Sequence, residues 1–334
     1  MTDIQNEELK GNDKQDAPSG FHPVYMVELL FDKCPEINHV RLQEALSRYT
    51  GQVRLTVKQQ TAVTNSDQQP QETNSQDETH TAPEANAEML VFYHLDHKVS
   101  FQEGDIPAQT CMLAATEMKD ISRFAGALQQ AWHWTEAEQA VRGATYSIRI
   151  HDMFTAAMPR KQRLGLFQKT LQAVLEILPC EAMYWYGSDK LVEPAAYKQS
   201  QEREEHLYAA MNVRMYQAGG TEEQRELVMD TVGLSALGVP DVQCHFTGLD
   251  PDTVAQTLLG AAYYIFDQGD VLQDGQTLGS SGGRRWRCEH QAALIAPGRY
   301  VIDLDPGNTN EDSSLEPAQH NRKRNGESMT MKVF

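Results

Sequence analysis

Apolar and polar positions along the chain repeat with two different periods. VYMVELLF (24–31), apolar except at Glu28, reads as a buried strand. The following EINHVRLQEALSRY carries apolar residues at 37, 40, 42, 45, 46 and 49, a helical stripe. QVRLTV, EMLVFYHL and QTCMLAA read as further strands. KDISRFAGALQQAW reads as a helix with Ile121, Phe124, Ala125, Leu128 and Trp132 on one face. TYSIRIHD (145–152) alternates, with Tyr146, Ile148 and Ile150 inward, and a helix over 159–178 follows, opened by Pro159. EAMYWY, AAMNVRMYQ, RELVMDTVGL and DVQCHFTG are strand-like. Asp250-Pro251 then supplies a cap and a first-turn proline for a helix over 250–268. RWRCEH and RYVIDLD close the pattern as strands.

This order predicts an α+β fold, with a mixed, largely antiparallel sheet or sheets and helices packed on one face. VELLFDKCPEINHVRLQEALSRYTGQV and VQCHFTGLDPDTVAQTLLGAAYYIFDQGDV each read strand, proline turn, helix, glycine turn. That echo suggests two similar halves, at about 21–143 and 144–306. Three stretches hold too little apolar surface to offset the entropy of ordering them: 1–20, 59–87 and 307–334. The first and last read as disordered tails. The middle one separates two strand-like runs and reads as a disordered insertion within the domain 21–306.

The chain has 334 residues and a formal net charge of -18. Removing the three polar stretches leaves about −10, because 1–20 has five acidic and two basic residues, 59–87 has five and none, and 307–334 has four of each. The acidity therefore belongs to the folded part. It disfavours nucleic acid and anionic membrane surfaces and favours a basic protein partner. No apolar run reaches the ~20 residues of a membrane span. The polar, acidic start is unlike a signal peptide, and the five scattered cysteines form no C-x-x-C pair. Both point to the cytoplasm.

Signatures of catalysis are absent: there is no G-x-G-x-x-G, Walker A, H-E-x-x-H or G-x-S-x-G. GLSALG (233–238) has its second glycine one residue too late for a nucleophile elbow, and GSSGGRR (279–285) precedes no helix. His94 with Asp96, and Cys288 with His290, each share a strand face and are weak metal candidates beside the plainer reading of packing and solvation. His151-Asp152 ends an alternating strand, so its side chains diverge. The polar strand faces carry more: Arg149 and His151, Asn212 and Arg214, Asp241, Gln243 and His245, and Asp303 with Asp305. If those strands are neighbours, the faces merge into one surface, either an ordinary wetted sheet face or a binding surface.

MVELLF, IPAQTCML, LFQKTLQAVLEILPCEAMYW, LVMDTVGLSALGVPDVQCHFTGLDP, AAYYIFDQGDV and WRCEH together resemble a bacterial family of uncharacterised proteins, the domain of unknown function numbered four-two-six-one. The resemblance runs from about Val24 to Pro306, most distinctively over 227–290, and implies a bacterial source. It implies no reaction, cofactor or site residue.

The chemistry therefore leans away from an enzyme and toward a cytoplasmic binding or protein-interaction module, with no cofactor and an unidentified, basic partner. The alternative is a metal-assisted hydrolase whose His, Asp and Cys ligands come together from separate strands. A scaffold that dimerises through a sheet edge or through the aromatic segments at 132–134 and 184–186 is the third reading.

Overall fold

In the computed structural model, residues 24–60, 87–221, 224–279 and 283–307 are described, with the backbone of 332 and 333. Two sheets organise them. The first contains β1 (Met26–Phe31), β2 (Val53–Gln60), β3 (Ala87–Phe101), β4 (Gly104–Met112), β5 (Thr116–Glu117), β6 (Tyr146–Met153), β7 (Ala182–Trp185) and β8 (Lys190–Val192). Its order is β2-β3-β4-β6-β1-β7-β8, with β5 beside β6 and every pair antiparallel.

The second sheet contains β9 (Asn212–Gly220), β10 (Arg225–Val232), β11 (Asp241–Thr247), β12 (Thr277–Gly279), β13 (Arg285–Ala292), β14 (Tyr300–Asp305) and β15 (Lys332–Val333). Its order is β15-β12-β13-β14-β11-β10-β9, and only β11 with β14 is parallel among the described pairs. The fold is thus α+β with largely antiparallel sheets, one of them mixed.

Capping chemistry sets the main helices. In α1 (His39–Thr50) the Asn38 side chain accepts from the Arg41 amide, Leu42, Ala45 and Leu46 are buried, and Gly51 ends the helix at φ 83°. In α6 (Pro251–Gln268) the Asp250 carboxylate accepts from the Thr253 amide, Pro251 fills the first turn, and Gly269 closes at φ 94°. These two helices follow β1 and β11, which occupy interior positions in their sheets, so both members of the sequence echo are a central strand followed by a packed helix. Between them lies α4 (Arg160–Ile177), preceded by Pro159 and buried on more than one face, from Leu164 through Phe167 and Leu171 to Leu175.

One apolar cluster joins the sheets: Val27, Leu29, Phe167 and Trp185 share it with Val242, Phe246, Leu258 and Trp286. Arg160 also donates to the Phe266 carbonyl at 2.7 Å, tying α4 to the end of α6. The division between sheets falls between β8 and β9, and the strand–helix–strand unit at 145–186 belongs wholly to the first sheet.

The opposite face of the first sheet has a smaller layer. There Leu30, Ala182 and Leu191 pack on Phe124, Ala127 and Trp134 from the short α2 (Ala125–Gln129) and its flanks, and on Val141 of α3 (Ala137–Gly143). The helix expected over 119–132 is only a 3-10 turn followed by α2. Trp132, expected inward, is 68 % exposed while Trp134 is buried. The peptide turns before a stripe of that length can form. α5 (Pro194–Glu202) completes the set.

β2 and β3 pair from Val53↔His94 to Gln60↔Ala87, so the stretch between them joins two neighbouring strands. The expected disordered segments at 1–20, most of 59–87 and most of 307–334 lie outside the described residues. Lys332–Val333 pair with β12.

Candidate functional site

All the residues read as one polar surface, except Arg149 and His151, share a face. On β9, β10, β11 and β14 the register sets Arg214 beside Asp230, Asp230 beside Gln243, and Gln243 beside Asp303. Alternation sends Val242, Cys244 and Phe246 into the core against α6 and turns Asp241, Gln243 and His245 the other way. Arg149 and His151 are not part of this face: they lie on β6 of the first sheet, opposite Glu28 and Met26.

The shared face is mostly not a wetted one. Asn212, Arg214, Asp230, Asp241 and Gln243 are all buried. Arg214 grips Asp230 with Nε at 3.0 Å and Nη2 at 2.6 Å, and Arg299 Nη2 donates to the same carboxylate at 2.6 Å. Arg299 Nε reaches Asp241 at 3.2 Å, and Asp241 also accepts from the Thr231 hydroxyl and the Leu234 and Ser235 amides. Gln243 donates to Asp303 at 3.0 Å and accepts from the Leu294 amide. The 293–299 loop and the turn at Leu234 therefore cover this face. Two arginines and two aspartates form a neutral, saturated quartet, an arrangement that holds structure and leaves no open valence for a ligand.

Only the edge stays accessible. His245 pairs there with Glu226 at 2.7 Å, and Asp303 has its carboxyl raised by burial. Sequence alternation could say which side these residues share but not what lies over them. Arg299 opened the predicted strand RYVIDLD on the same alternation as Asp303, yet was not read as part of this face; it lies immediately before β14.

The weak metal candidates are dispersed. His94 is fully buried between the hydroxyls of Thr50 (3.3 Å) and Thr110 (3.0 Å), and burial pushes its pKa down to about 4. Asp96 caps the Gln52 amide at 2.7 Å. Cys288 is buried in the core cluster with Trp286, whereas His290 bridges Asp274 at 2.7 Å and Asp270 at 3.0 Å and stacks on Tyr300. Among the described residues no three His, Cys, Asp or Glu side chains are gathered to hold a metal ion. The assembled ligand set that the hydrolase reading needs is not formed there.

The concave feature of the molecule lies elsewhere, in a cleft of about 1140 Å³ at the seam between the two sheets. One wall is α6, whose Ala255, Leu259, Tyr263 and Asp267 recur every four residues and so line up along one side. The other wall is the 205–213 segment with Tyr208, Met211 and Asn212, and Trp132 and His133 stand at one end. The seam is close-packed behind it. Gly233 sits at φ +124° with the Ala210 carbonyl only 2.1 Å from where a Cβ would be, so no other residue fits.

Lys190 contributes to the lining from the start of β8 and is 9 % exposed. Its Nζ donates to the carbonyls of Tyr208 and, at 3.4 Å, Met211, and lies 4.6 Å from the Tyr208 ring centroid. Burial lowers its pKa to about 8. His133 bonds the Leu191 carbonyl through Nε2 at 3.1 Å, so that nitrogen carries the proton; burial and the Lys190 charge lower its pKa to about 4. Residues from four separate segments make this cleft. Only the spacing of 255, 259, 263 and 267, on the flank of the stripe assigned to the core, hinted at it.

Residues 230–305 match the family model of a domain of unknown function, DUF4261. The match takes in Asp230, Asp241, Arg299 and the α6 wall of the cleft; the stretch from Val24 to 229 lies outside it. No curated protein and no solved structure matches the chain.

Proposed function

We propose that this chain, whose residues 230–305 carry the domain of unknown function, is a binding module that takes an apolar segment of a basic partner protein into the cleft beside α6. The observation that carries the reading is the exposed apolar surface at the cleft, with Trp132 68 % and Leu259 37 % exposed. Glu205 and Asp267 stand beside it, in a chain of net charge -18. Burying a Trp or Leu side chain fully is worth about 1.5–3 kcal/mol, enough for such a pair to anchor an interface. The acidic surroundings would steer a cationic partner and make association fall with salt. All five cysteines are free thiols, in keeping with a reducing compartment such as the cytoplasm, and no described helix is long and apolar enough to cross a membrane.

The test compares the tagged protein with its Leu259→Glu variant as baits in the host's cytosol, followed by titration of the purified partner. The reading expects a stoichiometric partner that is lost with Leu259→Glu and weakens steeply between roughly 50 and 200 mM salt. A partner that binds the variant equally well, or with no salt dependence, would overturn it.

A further inference from the structure

The described part of the chain has four buried cationic side chains: Arg163, Arg214, Arg299 and Lys190. Each arginine is matched to a carboxylate, Arg163 to Asp152 at 2.6 Å, Arg214 to Asp230 and Arg299 to both Asp230 and Asp241. Lys190 has no carboxylate within ion-pair distance among the described residues. A buried amine without a counter-ion is disfavoured as the ammonium and favoured as the neutral base. The carbonyls of Tyr208 and Met211 and the face of the Tyr208 ring, 4.6 Å away, hold the ammonium; the neutral amine, the minor form at pH 7, has two N–H donors and keeps both carbonyl bonds. In that form the nitrogen carries a lone pair, on a group that lines the cleft.

We propose that Lys190 is a carbonyl-capturing amine, whose Nζ condenses with an aldehyde carrying an uncharged apolar or aromatic body that enters the cleft. The lone pair adds to the carbonyl carbon, forming the C–N bond as the C=O π bond opens onto oxygen. The oxygen then leaves as water with the two amine hydrogens, and a C=N bond remains. No oxidant or reductant takes part. Protonated, the imine keeps one N–H, which one of the two carbonyls can still accept. The ring of Tyr263 and the side chain of Leu259 offer an apolar wall for the body of the aldehyde, while Glu205 and Asp267 select against an anionic one. The amine's pKa of about 8, against an ordinary value near 10.4, leaves about 200-fold more neutral amine at pH 7.

The inference shares the cleft with the partner reading but needs no partner, so its test separates the two. The full-length protein is incubated with benzaldehyde and sodium cyanoborohydride, which reduces any imine to a stable secondary amine, over a series of pH values. Labelled positions are then mapped by peptide mass spectrometry. Lys161, 55 % exposed and paired with Asp267 near the same cleft, is the internal comparison. Lys190 should label at least about tenfold faster than Lys161 at pH 7, with its rate levelling near pH 8. Should Lys161 label as fast as Lys190, or should Lys190 stay unlabelled while surface lysines react, the proposal is overturned and Lys190 is a structural clamp between β8 and the 208–211 segment. The decisive arm uses the unaltered protein. Lys190→Met should erase only the Lys190 label.

Discussion

Replacing Arg299 with methionine strands a carboxylate inside the second sheet. The guanidinium makes five hydrogen bonds: to Asp241 (3.2 Å), to Asp230 (2.6 Å) and to the carbonyls of Thr231 (2.7 Å), Ile295 (3.0 Å) and Pro297 (2.9 Å). With Arg214 it balances Asp230 and Asp241, so the quartet is neutral. Methionine fills much of the space but leaves Asp241, whose carboxyl burial already raises, without its counter-charge, so that it stays charged and unpaired or takes up a proton on folding. Asp230 keeps its two bonds from Arg214, whereas Asp241 keeps only neutral donors, the Thr231 hydroxyl and the Leu234 and Ser235 amides. Breaking a buried pair from one side costs about 3–5 kcal/mol, and we expect Arg299→Met within that range.

The stranded charge is the cause, so removing it should recover part of the loss. Asp241→Asn restores neutrality in the Arg299→Met background, and the double variant should be more stable than the sum of single effects by at least about 1.5 kcal/mol. Urea unfolding followed by tryptophan fluorescence and by circular dichroism, at unchanged m-value, measures all four corners of the cycle. A cost below about 1 kcal/mol for Arg299→Met, or strict additivity in the cycle, would refute the claim that these four side chains act as one compensated unit.

Other expectations follow from the same geometry. His94 has its pKa depressed by burial to about 4, below the unfolded value near 6.5; its contribution is therefore intact above pH 6.5 and is lost as pH falls toward 4, by up to roughly 3 kcal/mol. His94→Gln should flatten that part of the stability–pH curve, and an unchanged slope would refute the assignment. His290 works with the opposite sign: burial lowers its pKa, but the Asp274 and Asp270 carboxylates outweigh this and raise it. Its contribution is present below pH 6.5 and fades as pH rises through the raised value, so its ring signals in an NMR titration should shift downward in pKa in Asp274→Asn. Gly233→Ala drives a Cβ into the Ala210 carbonyl at a φ of +124° and should cost at least about 2 kcal/mol in thermal or chemical unfolding.

Local chemistry made some of the fold readable. The α6 boundaries were legible because Asp250, Pro251 and Gly269 each solve a problem of helix termini that no neighbour has to supply. The inward set Ile148 and Ile150, and the set Val242, Cys244 and Phe246, followed from the pleat alone. Strand order did not, because β11 pairs in parallel with β14 some 60 residues later, and nothing local encodes that choice. The short α2 and α3 were missed or overextended because helices of five and seven residues owe their existence to packing on Leu30 and Leu191 rather than to a stripe of their own. The polar face was half legible: Arg214, Asp241, Gln243 and Asp303 were placed together, but the cover supplied by Arg299 and its loop was not. Lys190 was illegible, since its character comes entirely from the Tyr208 and Met211 carbonyls and the closed seam around it.

The limits of the family match bear on where function resides. Residues 230–305 contain Asp230, Asp241 and Arg299, yet the bidentate partner of Asp230 is Arg214, on β9 outside that stretch. The same stretch contains the α6 wall of the cleft, while Lys190, Tyr208 and Trp132 come from the rest of the chain. Cut out alone, 230–305 would bury one arginine against two aspartates and would lose the part of the shared core cluster that Phe167 and Trp185 supply. A buried net charge and a core cluster missing one side are each unfavourable by several kcal/mol, comparable with the whole stability of a domain that size. The matched stretch is therefore the part of the molecule that supplies the helix and most of the quartet. The cleft, with any chemistry at Lys190, exists only where the first sheet closes against it.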